Sequence, residues 1–309
     1  MSHFDYTYLF GPVPSRRFGR SLGIDLTPLK TCSLDCVFCQ LGRTPEKTLQ
    51  RKVYVPTREV ISEIEQWMQN DGNADYLTLS GSGEPTLHAQ FGEVLDFLAG
   101  QPIPSVLLTN GTLFTLPEVR ASARLADVVK VSVSAWDQAS FEWVNRPHTD
   151  LKFDRVLAGI KNFREEFDGQ LWVEVFLLAG INANTADVQK ISRLLKGVRP
   201  DRIHLNTIAR PPAEEFAAAV AKERLEGFRT LFDPPARIAT GFSTNRSMKV
   251  RANEANILSM LRRRPCTIKQ IEDAFDMHIN EVSKTLGQLI SRDLITADVR
   301  DQEVYYVST

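Results

Sequence analysis

Cys32, Cys36 and Cys39 are three of the four cysteines in this 309-residue chain, and they fall in the stretch KTCSLDCVFCQLGRT (residues 30–44) with C-x3-C-x2-C spacing. Thiolates bind soft metals, so cysteines bunched in this way point to zinc or iron–sulfur chemistry. Structural zinc takes four ligands, usually as close Cys or Cys/His pairs, and the nearest histidines here are His3 and His88. A ferredoxin-type cluster needs a fourth cysteine, whereas Cys266 lies far along the chain. Three protein ligands on a four-iron cluster leave one iron open. An open metal site is where a small molecule can bind and react. The missing fourth ligand is therefore the feature that carries chemistry.

The elements that must position these thiols are readable from apolar periodicity. Strand patterns occur at Ser21–Thr27, Ala74–Gly81, Ile103–Gly111, Asp127–Ala135, Gln170–Gly180 and Asp201–Ala209. Helical patterns follow them at Arg58–Asn70, Phe91–Gly100, Leu116–Ala126, 151–166, Asn184–Val198 and Pro212–Phe232. Strand–helix alternation predicts an α/β fold built on a parallel sheet with right-handed crossovers. The cysteine loop leaves the first strand at its C-terminal end, where the chemistry of barrel folds gathers. From Glu254 the pattern changes to three helical segments and an alternating stretch, Ile295–Ser308, that reads as a hairpin. Three helices and a hairpin predict a small winged-helix α+β domain. The expected division is a barrel over 1–235, a connector over 236–253 and a winged helix-turn-helix domain over 254–309.

The cysteine spacing, with the aromatic Phe38 just before Cys39, resembles the radical S-adenosylmethionine (SAM) superfamily. The resemblance implies an open, partial (βα)6 TIM-like barrel, which six βα units match. It implies one [4Fe–4S] cluster on Cys32, Cys36 and Cys39, with SAM on the unique iron. One electron, from a donor such as flavodoxin or ferredoxin, would cleave SAM to methionine and a 5′-deoxyadenosyl radical that abstracts hydrogen from substrate. Ser82-Gly83-Glu84 resembles the family's Gly-Gly-Glu segment, which takes the SAM amino group, with Ser82 replacing the first glycine. An ammonium suits carbonyls and a carboxylate, and glycine permits close approach. Asn110 ends the third strand and lines the site or simply makes an Asn-Gly turn. Ser132 and Ser134 share one face of the fourth strand. The family meets ribose hydroxyls there, and Ser134 is the favoured contact. Glu174 is a charge inside an apolar strand, so it is either paired or a ligand contact.

The substrate or partner side would draw on the groups near the strand ends. Asn145, Arg146 and His148 form a polar group beside aromatics, which either meets substrate or orders its own loop. Asn206 and Arg210 follow the sixth strand, and Arg16 and Arg17 precede the first. Residues 1–57 hold eight Lys/Arg against four Asp/Glu, a local basic surplus suited to phosphate, RNA or an acidic electron donor. The strings GPVPSRR, NRPH and LNT, with the tail, resemble an Fe–S oxidoreductase subgroup distantly similar to the tRNA wyosine-synthesising radical SAM enzymes; that activity is not carried over.

Two rival functions follow from the same features: a tRNA- or RNA-modifying radical SAM enzyme, and an iron–sulfur sensing winged-helix regulator without turnover. Residues 250–309 carry eight Lys/Arg and nine Asp/Glu, which disfavours duplex DNA as a partner. The whole chain has 37 Lys/Arg and 38 Asp/Glu, net −1. It shows neither a secretory leader nor a membrane-spanning apolar run, and its sparse cysteines suit a reducing compartment, so a cytoplasmic location is expected.

Overall fold

The computed structural model describes residues 6–15, 17–70, 72–238, 254–262, 265–275, 277–300 and 303–309. The six expected strands form β2 (Gly19–Ile24), β3 (Tyr76–Leu79), β4 (Ser105–Thr109), β5 (Val128–Ser132), β6 (Gln170–Phe176) and β7 (Arg202–Asn206). They pair in parallel, in chain order, within one eight-stranded sheet. Because the order never reverses, successive crossovers wind the same way and the helices collect on one face.

Two strands were not expected. β1 (Leu9–Ser15) lies antiparallel to β2 at one edge, with an irregularity between Phe10 and Val13. Pro12 and Pro14 hide it in the sequence, since proline suits only an edge or a bulge, and this strand is both. β8 (Arg237–Ile238) closes the other edge, inside the segment expected to be a connector.

The helices α1 (Thr57–Asn70), α2 (Phe91–Ala99), α3 (Pro117–Ala123), α5 (Phe153–Glu166) and α6 (Thr185–Val198) follow the predicted periodicity. Helix α4 (Gln138–Asn145), which was not among the expected elements, starts at a capping box between Asp137 and Ser140. The helix expected over Pro212–Phe232 is corrected: only α7 (Lys222–Phe228) and one 3-10 turn form. Its first half is drawn off by the strand ends. Glu214 N–H donates to the Val37 carbonyl, Ala218 bridges Ala179, and Val220 N–H donates to the Thr207 hydroxyl.

One face of the sheet packs on the helices through Leu77, Leu79, Leu107, Val129, Val131, Val173 and Leu205, all fully buried. The other face curls around a cavity of about 410 Å³. Its wall takes Val13, Ser21, Thr78, Leu108, Lys130, Glu174 and Asn206 from β1 to β7 in turn. In a flat sheet β1 and β7 would stand roughly 29 Å apart, so shared lining of one cavity requires strong curvature. Phe18 stacked on Trp172, with Val106 and Val128, fills the space beneath.

The C-terminal segment comprises α8 (Glu254–Leu261), α9 (Ile268–Phe275), α10 (Ile279–Ser291) and the antiparallel hairpin of β9 (Ile295–Arg300) and β10 (Glu303–Ser308). Its core of Ile257, Met260, Ile271, Phe275, Val282, Leu286 and Leu289 takes in Val13 and Phe10 of β1. Edge strand β1 is thus covered rather than left as a template for pairing. Cys266, buried at 1% exposure, exchanges two backbone hydrogen bonds with Tyr306. Among the described residues no helix is long and apolar enough to cross a membrane.

Candidate cofactor and substrate site

The cysteine loop carries little regular structure of its own, so it is held from outside. Val37 N–H donates to the Val144 carbonyl, Asp35 N–H to the Asn145 carbonyl, and His148 N–H to the Ser33 carbonyl. On the other side Lys30 N–H donates to the Ser82 carbonyl and Glu84 N–H to the Thr31 carbonyl. Each sulfur then receives one side-chain donor: Asn110 Nδ2 at 3.6 Å from Cys32 Sγ, Asn145 Nδ2 at 3.2 Å from Cys36 Sγ, and Lys30 Nζ at 3.1 Å from Cys39 Sγ. Donors of this kind orient ligands and stabilise charge on sulfur. Burial, then Glu84, pushes the Cys32 thiol up to about 12, and burial also raises Cys36. Both are therefore thiols near neutral pH, and metal binding there must release protons.

Among the described residues no three His, Cys, Asp or Glu side chains gather as a cage for a single metal ion. Three separate thiols, each met by an N–H donor and with no fourth such ligand among the described residues, fit a cluster held on three legs better than a closed zinc site.

The segment after β3 wraps around two carboxylates. Asp25 accepts hydrogen bonds from Ser82 N–H at 3.1 Å and from the Ser82 hydroxyl at 2.5 Å. A Cβ at Gly81, whose φ is +144°, would meet the Asp25 carboxylate at 2.4 Å, and one at Gly83 would meet the Thr31 carbonyl at 2.1 Å. Both glycines are needed for close approach. Glu84 is turned inward. At 3% exposure it accepts from Thr86 N–H and hydroxyl, the Thr109 hydroxyl and Asn110 N–H, so it ties the β3 turn to the end of β4. Burial raises its carboxyl above the ordinary range while those bonds oppose the shift. The Asn110 side chain caps Thr112 through Oδ1 and points Nδ2 at Ser33 and Cys32, so it serves both its turn and the site.

Phe38 stacks on Phe176, with centroids 4.1 Å apart, and lines two cavities. The smaller, about 80 Å³, holds Cys36, Asn110, Ser132, Ser134 and Asn145 among apolar groups of α4 and α5 such as Phe141, Val156 and Ile160. The Ser134 hydroxyl accepts from Phe176 N–H. Asn145 lies beside Cys36 in this smaller cavity. The larger cavity holds Cys39, Gly81, Gly83, Arg17, Lys130, Glu174, Asn206 and Arg210. Glu174 is paired in the barrel interior, with Arg17 and with Lys130 at 2.8 Å, and Asn206 Nδ2 lies 3.3 Å from it.

Two expected substrate residues are not brought into either cavity. Arg146, the left-handed cap of α4, pairs with Glu214 at 2.5 Å and Asp35 at 3.6 Å, a latch across the cysteine loop. His148 accepts from Asp150 N–H and sits outside the lining. Arg16 lies outside the described residues. Reasoning from sequence missed Asp25, Lys30, Gln40 and Glu214. It also missed Lys130, although a lone lysine on the Ser132 face of a Val-rich strand was the available signal.

The fold is thus a mostly parallel, singly wound sheet with three thiols at its strand ends, between an apolar and a charged cavity. The chain belongs to the radical SAM superfamily, whose pattern matches residues 26–195. That family uses a [4Fe–4S] cluster with three cysteine ligands together with SAM. The chain is 33% identical over 297 residues to a protein named GTPase Obg from Brachyspira hyodysenteriae, covering 94% of this chain and 44% of that one. It is 37% identical over 212 residues to a UPF0026 protein of Methanocaldococcus jannaschii, covering 68% of this chain and 66% of that one. The chain therefore spans less than two thirds of each of these relatives. A structure of TYW1 with a lysine-pyruvate adduct shares the fold, with TM-score 0.55 and 16% identity over 71% of this chain and 74% of that one.

Proposed function

We propose that this chain is a radical SAM enzyme in which Cys32, Cys36 and Cys39 hold one [4Fe–4S] cluster and the charged cavity receives the molecule that loses hydrogen. The observation that carries this reading is the placement of the three thiols, each met by a separate N–H donor, between two cavities that share the Phe38 wall. When bound, the reduced cluster and SAM supply a 5′-deoxyadenosyl radical. The chain's own residues bind and orient. Ser132, Ser134, Asn110 and the apolar groups of the smaller cavity take the nucleoside side and keep water out. Backbone groups of Ser80, Gly81 and Gly83 face the larger cavity and suit the methionine ammonium, with Asp25 and Glu84 holding that turn in place. The inward pairing of Glu174 with Arg17 and Lys130 favours a structural and substrate-side part for it over a SAM contact.

Turning Arg17 into the barrel removes one cation from the rim that an RNA substrate would use, so a small molecule is preferred as substrate. The C-terminal helices and hairpin suit a winged-helix module that seals the β1 edge, since Met260 lines the larger cavity and Gln270 Nε2 donates to the Ala209 carbonyl. Helix α10 carries one Lys and one Glu, which favours this packing role over duplex DNA. A flavodoxin- or ferredoxin-type donor in the cytoplasm would supply the electron.

Anaerobic reconstitution with iron, sulfide, SAM and dithionite tests the reading. 5′-Deoxyadenosine should form with wild type. Its formation undiminished after replacement of all three cysteines, or the absence of bound iron in wild type, would overturn the assignment.

A further inference from the structure

Among the described residues four that are not glycine have left-handed backbone angles: Lys30, Arg146, Arg199 and Asp293. Three of them close helices, where that conformation is a common cap: Arg146 after α4, Arg199 after α6 and Asp293 just after α10. Lys30, with φ +61°, follows β2 and ends no helix. A side chain in that region is strained where glycine would not be, so such an outlier raises the question of what its side chain does. The Lys30 backbone is pinned by its N–H to the Ser82 carbonyl at 2.7 Å, and Thr31 N–H closes the turn on the Pro28 carbonyl at 3.1 Å. From this turn the half-buried side chain reaches the cysteine loop, where its Nζ lies 3.1 Å from Cys39 Sγ. No carboxylate pairs with it among the described residues. The other two thiols meet amides, from Asn110 at 3.6 Å on Cys32 and from Asn145 at 3.2 Å on Cys36. Lys30 is thus the one cation that donates to a thiol of the loop among the described residues, and it does so on the thiol that lines the larger cavity.

We propose that Lys30 is a positioning residue whose ammonium, held against Cys39, sets how readily the cluster takes up its electron. This rests on the radical SAM reading, which supplies the cluster. Reduction by a one-electron donor adds one negative charge to a cluster on three thiolates, with no bond made or broken and no proton moved. A fixed positive charge against one ligand sulfur favours that more negative form over the oxidised one. Amide N–H groups act in the same direction, but a charge-assisted hydrogen bond is roughly twice as strong as a neutral one, and a full charge acts beyond the sulfur it touches. Half-burial leaves the ammonium partly screened by water, which keeps the effect moderate. The left-handed turn gives the charge a fixed origin, because its backbone is tied to the segment after β3 while its ammonium is tied to Cys39.

The test is an anaerobic redox titration of the reconstituted full chain with dithionite and mediators, at fixed pH and ionic strength, following the reduced cluster by electron paramagnetic resonance. Lys30→Met should make reduction about tenfold less favourable, a midpoint lower by about 59 mV for one electron. Lys30→Arg, which keeps the charge, should recover most of that shift, with iron content as in wild type. Should Lys30→Met fail to retain iron, Lys30→Gln, an uncharged donor, reads the same quantity, with about threefold less favourable reduction expected. An unchanged midpoint in the neutral variant that holds iron, or an arginine variant shifted as far as the neutral one, overturns the inference. Loss of iron from both neutral variants overturns it too, since Lys30 would then hold the cluster rather than set its potential. An unmoved midpoint with intact 5′-deoxyadenosine formation sinks only this inference. A moved midpoint in a cluster that yields no 5′-deoxyadenosine sinks the function reading instead.

Discussion

The two cavities on either side of Phe38 share a wall yet differ in kind. The smaller is lined by Leu34, Val133, Phe141, Phe153, Val156, Leu157 and Ile160 with a few hydroxyl and amide groups, and no charged side chain lines it among the described residues. The larger has a charged interior built on the Arg17–Glu174–Lys130 network. The difference follows from position in the sheet. The smaller cavity lies where the β4 and β5 ends meet α4 and α5, so it inherits the apolar faces of crossover helices. The larger lies inside the curl, where inward strand positions meet one another and must satisfy their own polar groups. A radical enzyme can use both: a dry slot for a nucleoside and a charged one that fixes a reactant.

The comparison can be broken most severely at the loop between the cavities. Cys36→Ala should abolish both bound iron and SAM cleavage, read by iron content and 5′-deoxyadenosine yield; retention of either at wild-type level would show that the thiols do not link the two halves. Next, Lys130→Met should cost about 3 kcal/mol of folding stability in urea titration, the low end for breaking a buried ion pair because Arg17 still partners Glu174. A loss near zero would mean the charged interior is not an interdependent network.

The pH dependence sharpens the same contrast. His204 has its folded-state pKa lowered from 6.5 to about 3, chiefly by burial and then by the cations around it. The unfolded chain therefore binds a proton that the folded chain refuses. The penalty is absent above about 6.5 and grows as pH falls toward 3, by at most about 1.4 kcal/mol per pH unit. His204→Gln should flatten that part of the stability profile, measured by denaturation midpoints across the acid range. The smallest effect is expected on the apolar side. Val156→Phe should narrow the smaller cavity and raise the KM for SAM about fivefold through overpacking, while the stability cost of Lys130→Met stays the same in that background. A changed cost would mean that the cavities are not separate.

Much of the frame was legible because it depends on local pattern. Each of β2–β7 shows as an apolar run, and α5 and α6 show their buried faces at helical spacing, with Asn184 capping Asp187 N–H. The failures have physical causes. Prolines masked β1, and helix-forming residues at 213–221 were overruled by strand ends that needed backbone partners. Arg146 looked like a substrate group because its partner Glu214 lies 68 residues away. Glu84 could be read from its glycine-rich segment, but its four donors from Thr86, Thr109 and Asn110 could not, because Thr109 and Asn110 lie at the end of the next strand.

The sequence by itself determined the three-thiol loop, its place after a parallel strand and the βα alternation that carries it, since spacing and periodicity act over a few residues. Only the tertiary structure decided which donors meet each sulfur, and that Arg17, Lys130 and Arg210 would share one cavity with one carboxylate. The sulfur donors come from up to 109 residues away and Arg17 meets Glu174 across 157, contacts made only once the sheet has curled and its two faces are separated.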